Sequence, residues 1–115
     1  RMSIDYNGRQ FRKLAAADGV TAQYHQKDDL VWADFAGGQV RRGSVNGICE
    51  PDGTLRLAYT MVLDGGEVIA GSTVNTPEQD IEFGLLLREE WKRYTPRSET
   101  GVSYLTEVTE PEEAG

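Results

Sequence analysis

Apolar and polar residues alternate over short stretches of this chain, and each stretch ends in glycine, proline or an Asx residue. Thr54 to Val62 shows the pattern: Leu55, Leu57, Tyr59 and Met61 share one parity, while Arg56 and Thr60 take the other. A period of two belongs to a strand with one buried face. The same reading predicts strands near Gln10 to Leu14, Val20 to Gln26, Leu30 to Phe35, Val40 to Glu50, Thr54 to Val62, Val68 to Asn75, Ile81 to Tyr94 and Val102 to Val108. Asn7-Gly8, Lys27-Asp28-Asp29, Gly37-Gly38, Pro51-Asp52-Gly53 and Asp64-Gly65-Gly66 are the turns between them, because glycine and Asx residues reach the positive φ of tight hairpins. Connections this short cannot hold a parallel crossover, so neighbouring strands pair antiparallel. The expectation is an all-β fold, an up-and-down meander of about eight strands closing into a small barrel, in one domain over residues 2–109. Gly43, Gly47 and Gly71 fall inside strands, where they mark sharp coiling or a bulge.

The segment Leu85 to Tyr94 competes with this picture, since most of its residues are good helix formers. Its apolar positions decide for a strand: Ile81, Phe83, Leu85, Leu87 and Trp91 recur at every second residue, with Glu82, Arg88, Glu90 and Lys92 between them and Leu86 as the exception. Ala15 to Ala17 add a helical turn between the first two strands.

Charge narrows the partners. A net charge of −7 argues against nucleic acid and anionic membranes, both of which recruit basic surfaces. Glu110, Glu112 and Glu113 around Pro111 form an acidic tail over 110–115 that reads as disordered and dispensable. Arg1 ahead of Met2 reads as a tag remnant. The lone Cys49 excludes an intrachain disulfide, and no apolar run is long enough for a membrane-spanning helix or has the pattern of a signal peptide, which makes the cytoplasm the expected compartment. Nothing in the residues fixes an oligomeric state, and a homo-oligomer is compatible with them.

Glu89 is the most informative candidate for chemistry, because alternation places its carboxylate on the inward face with Leu87 and Trp91. An unpaired buried carboxylate costs several kcal/mol, so it must be paired, hydrogen-bonded, protonated or open to a water-filled cavity. Tyr59 is inward on its own strand and is the first candidate to hydrogen-bond Glu89. In Tyr24-His25-Gln26 the register leaves open whether Tyr24 with Gln26 or His25 alone faces in, and Trp32 shares that ambiguity. One histidine and one cysteine make no zinc-ligand cluster, a Cys49–His25 pair would need a contact the sequence does not show, and no phosphate-binding glycine loop is present. No metal or cofactor is expected.

Tyr6-Asn7-Gly8-Arg9 with Phe11-Arg12, Tyr24-His25-Gln26, Val31-Trp32-Ala33 with Phe35, Gly37-Gly38, Gly43, Gly47, Leu55, Tyr59, Gly71, Thr76-Pro77-Glu78, Glu89-Glu90-Trp91 and Gly101 with Ser103 together resemble a family of small bacterial proteins of unknown function, often labelled N-acetylglutamate synthase. The resemblance spans nearly the whole chain and implies a lipocalin-like or streptavidin-like barrel; the label would imply an N-acetyltransferase. The anion cradle at a helix N-terminus that acetyl-coenzyme A normally uses has no counterpart among the motifs. Ile81 to Gly84 stand where the family has a polar Asp-Gly turn.

Three functions follow in order of preference. The first is a small-molecule-binding barrel with Glu89, Trp91, Tyr59, Tyr24 and Gln26 as its polar and aromatic interior. A packed barrel that serves assembly comes second. An enzyme with Glu89 as general acid or base comes third.

Overall fold

The structure, a computed structural model, describes residues 4–14 and 19–109. The helical turn expected at Ala15 to Ala17 and the acidic tail from Glu110 lie outside the described residues. Within them, eight strands run in chain order around a closed antiparallel barrel: β1 Gln10–Lys13, β2 Thr21–Lys27, β3 Leu30–Gly37, β4 Val40–Cys49, β5 Leu55–Leu63, β6 Val68–Asp80, β7 Gly84–Thr95 and β8 Glu99–Glu107. The short β1 closes the ring by pairing with both β2 and β8, so neither terminal strand leaves an open edge there.

Alternation holds over most of the ring, the exception being the cross-strand pair Leu86 and Thr106, buried on the outward parity of β7 and β8. On β7, Leu87 is fully buried while Arg88 and Lys92 face out, and on β5 the buried Leu55 and Leu57 flank the exposed Arg56. Charged side chains at mid-strand on the outer face are the reverse of the apolar belt of a lipid-facing barrel. His25 also faces out, stacked on Trp32 with ring centroids 5.4 Å apart; Tyr24 therefore faces in, which settles that register.

Two expectations need correction. The strand expected from Ile81 starts at Gly84, because Asp80 accepts hydrogen bonds from the backbone N–H groups of Glu82 and Phe83 and Gly84 takes a positive φ of 75°. Ile81 is fully exposed on this turn. Gly47, expected to mark a bulge or sharp coiling, lies in unbroken register, whereas Gly43 and Gly71 each border a register shift as expected: the shifts fall between Phe35 and Gly37, where Phe35 pairs with Gly43, between Val40 and Arg42, and between Ala70 and Gly71. What requires glycine at Gly43 is the ring of its cross-strand partner Phe35, which would lie 2.2 Å from an added Cβ. The same pairing joins Tyr59 to Gly71 and Trp91 to Gly101. Aromatic side chains thus pack closely against facing glycines, where they shield the backbone.

The two ends of the barrel differ. The segment ahead of β1 crosses one end, where the Tyr6 hydroxyl donates to the Gly53 carbonyl at 2.7 Å and the Tyr6 N–H donates to Gln26 Oε1 at 2.8 Å. Tyr6, Phe11, Val31, Leu55 and Leu87 are each at most 1% exposed beneath it. That end is a packed core.

Gly101→Ala puts a Cβ 2.3 Å from the Trp91 ring, so the indole must leave its seat. Overpacking of this kind costs about 1–3 kcal/mol, and thermal unfolding of the variant should fall by several degrees. Gly65→Ala, whose Cβ meets nothing within 4 Å, should melt with the parent; equal losses in both variants would contradict the ring-over-glycine account.

Candidate functional site: a cavity at the open mouth

The β3–β4, β5–β6 and β7–β8 turns surround the end opposite Tyr6, and there the side chains do not meet. A cavity of about 230 Å³ remains, roughly the liquid volume of seven or eight waters. Glu89, Trp91 and Arg93, successive inward residues of β7, run up one wall at spacings of roughly 7 Å, with Tyr59, Met61 and Phe35 among the residues facing them. The wall is mainly apolar and aromatic, with charge placed at its two levels.

At the inner level, Tyr24 lies between core and cavity, edge-on to Phe11 with centroids 5.4 Å apart. Burial holds its hydroxyl well above the ordinary tyrosine range, and the nearby Glu89 carboxylate adds to this. Glu89 is inside the barrel, as alternation requires. Its carboxylate makes no hydrogen bond among the described residues, to Tyr59 or to any other group. Desolvation pushes its pKa above the ordinary 4.5, and Lys13 on β1 opposes the rise. Its register neighbour on β6 is the fully buried Asn75, whose Nδ2 donates to Thr73 Oγ1 at 2.9 Å while its Oδ1 has no partner. Protonation of Glu89 therefore sets a donor on the strand beside an unused acceptor.

At the outer level, Arg93 stands beside the Tyr59 hydroxyl. Its Nη1 reaches Glu99 at 3.5 Å, and its Nε is buried without a partner.

Of the five residues expected to line a site, Glu89, Trp91, Tyr59 and Tyr24 meet around the cavity. Gln26 does not. It faces inward at the far end, where its Oε1 accepts from Tyr6 N–H and its Nε2 donates to the Asp28 carbonyl at 2.8 Å; it anchors the plug. Cys49 is at that end as well, its thiol pKa raised by burial, and the outward His25 cannot act as its base. Arg93 and Lys13 were missed as site residues. Arg93 carried a usable signal, since it has the parity of Glu89 and Trp91.

A closed eight-stranded meander with aromatic rings lining one open mouth has a family match. The family model described as avidin-like protein covers residues 4–108. The chain belongs to the avidin-like family. Comparisons with curated proteins and with solved structures give no match. The family extent takes in every strand of the avidin-like barrel together with the Tyr6 plug, so the match covers both the closed end and the mouth. It does not carry the N-acetylglutamate synthase label.

Burial of Glu89 gives the site a pH signature. A carboxyl whose folded pKa is raised contributes stability that is fully present below the unfolded value of 4.5 and is lost as pH rises through the folded value. The melting temperature of the parent should therefore fall relative to Glu89→Gln as pH increases from 4.5 toward neutrality, since the amide keeps the shape and a donor for Asn75 without titrating. Parallel pH profiles for the two proteins would contradict the assignment.

Proposed function

We propose that the protein binds a small molecule in the mouth of its barrel. The observation that carries this reading is the 230 Å³ cavity itself, held open between Trp91, Phe35 and Tyr59 while Tyr6 and the core residues around it fill the barrel interior at the opposite end. A barrel built only for assembly would gain by filling that space, because a void forfeits the contacts of its lining atoms. The ligand is a compact molecule with an apolar or aromatic body that lies against Trp91 and Tyr59. Membership of the avidin-like family supports the reading, since its barrels typically bind small ligands.

Catalysis is less well supported. Glu89 has the raised pKa of a general acid, but Cys49 and His25 stand away from it, so no nucleophile is poised beside it. Acetyl transfer is supported still less: the described residues contain no helix to cradle a pyrophosphate, and the cavity is far smaller than acetyl-coenzyme A. We also place the protein in the cytoplasm, on the strength of its lone cysteine.

The test pairs neutral one- and two-ring aromatic fragments with a variant that fills the cavity. A fragment present at 100 times its Kd stabilises the folded state by about 2.7 kcal/mol, which raises the melting temperature by several degrees. Ala22→Phe places a ring in the cavity space beside Tyr24 and should stay folded while losing that response. A panel that leaves the parent unmoved, or an Ala22→Phe variant that responds like the parent, would refute a cavity site.

A further inference from the structure

Glu89 stands where the protein alone does little to keep a carboxylate charged. The residue is half-buried, and the surface it keeps lines the cavity. No described residue donates a hydrogen bond to it: its register partner on β6, Asn75, gives its amide N–H to Thr73, and its register partner on β8, Ser103, makes no bond to it either. A carboxylate without a protein donor keeps its charge through water, and the cavity is the space from which water reaches it.

The other charges around the cavity do not take the place of that water. Arg12 and Lys13 on β1 are exposed, and Lys13 opposes the desolvation of Glu89 without forming an ion pair with it. Arg93 is occupied at the mouth by the Tyr59 hydroxyl and Glu99, and Glu107 on β8 pairs with Arg9. On β2, burial keeps the Tyr24 hydroxyl protonated. The lining residues of β3, β4 and β6 carry no charge, and His25 is stacked on Trp32 outside the barrel. Within the cavity Glu89 is therefore the group that changes charge between mild acid and neutrality.

Resting on the reading that the cavity binds a small ligand, we propose that the site takes up its ligand and a proton together: an uncharged ligand that fills the inner end expels the water Glu89 depends on, and Glu89 is then held as the neutral carboxyl. The proton comes from solvent and settles on a carboxylate oxygen, and no bond of the ligand changes. Asn75 Oδ1, fully buried and without a partner, is an acceptor for the new O–H within the same register pair. Burial already raises the carboxyl above its ordinary value in the empty cavity, and removal of the cavity water moves it further the same way. Below the empty-site value the Kd is constant; between the two values binding weakens by up to about tenfold per pH unit. The barrel thus loads in mild acid and releases as pH rises.

The probe is 3-phenylpropanamide, which has no group that titrates between pH 5 and pH 8. It is titrated calorimetrically into the parent and into Glu89→Gln across that range, at each pH in two buffers of different ionisation enthalpy. The parent's Kd should rise roughly tenfold or more from pH 5 to pH 8, and its binding heat should differ between the buffers, as proton uptake requires. Glu89→Gln, which keeps the shape without titrating, should show a Kd that does not change with pH and heats that do not depend on buffer. A flat Kd for the parent, a pH dependence that survives in Glu89→Gln, or 3-phenylpropan-1-amine binding the parent more tightly than the amide at neutral pH, which would mean that an ionised Glu89 pairs with a cation, would each overturn the coupling while leaving the cavity reading in place. If Glu89→Gln does not fold, the two-buffer comparison on the parent decides alone, and equal heats at every pH overturn the coupling. Failure of the amide and the amine to bind the parent at any pH would overturn both.

Discussion

The hydrogen bond from the Tyr6 hydroxyl to the Gly53 carbonyl makes this barrel one-sided. A short antiparallel barrel has two equivalent openings until something fills one of them, and here the chain's own entry segment does so. Tyr6 carries its ring into the end formed by Phe11, Tyr24, Val31, Leu55 and Leu87, and a buried phenol must find a partner for its hydroxyl. Gly53 provides it, and Gln26 holds the Tyr6 backbone from the other side. Everything below the plug packs as a core; the space that remains lies at the other end, so the entry segment decides where a ligand can be.

Ring-over-glycine pairs shape that space. Tyr59 over Gly71 and Trp91 over Gly101 lie along the wall of the cavity and do not project across it. A side chain at Gly101 would displace the Trp91 ring from its seat, and one at Gly71 would meet the Lys92 carbonyl as well as Tyr59, so both glycines keep the cavity wall in place. Two charges at different depths, Glu89 within and Arg93 above, then make an apolar slot directional.

Much of this was legible in the sequence because strand periodicity reports direction. Alternation identified the inward faces carrying Tyr59, Glu89 and Trp91, and glycine and Asx residues marked most of the hairpins. Periodicity does not report depth along the barrel axis. Gln26 was correctly inward, yet it belongs to the plug, several residues from the cavity. The turn at Asp80–Gly84 escaped because Ile81 and Phe83 happen to continue the parity of Leu85 and Leu87, and apolar residues on a turn leave no local sign of it. Tyr6 escaped for a different reason: it sits on an irregular segment with no period to read, and its role comes from a bond to Gly53, 47 residues away. Arg93 shared the parity of its neighbours, but an arginine near a strand end reads as a solvated charge until burial is known. No rule of alternation could show that Glu89 would lack a hydrogen bond among the described residues.

One end of the barrel is plugged, and the other is the end at which we propose a ligand binds. The chain's two tryptophans report on it from opposite sides of the wall: Trp91 lines the cavity, and Trp32 stacks on His25 outside. Titration with 3-phenylpropanamide, followed by the two indole N–H resonances in a nitrogen-15 correlation spectrum, should shift the Trp91 signal saturably and leave that of Trp32 in place. A shift confined to Trp32, or equal shifts of both, would contradict the account.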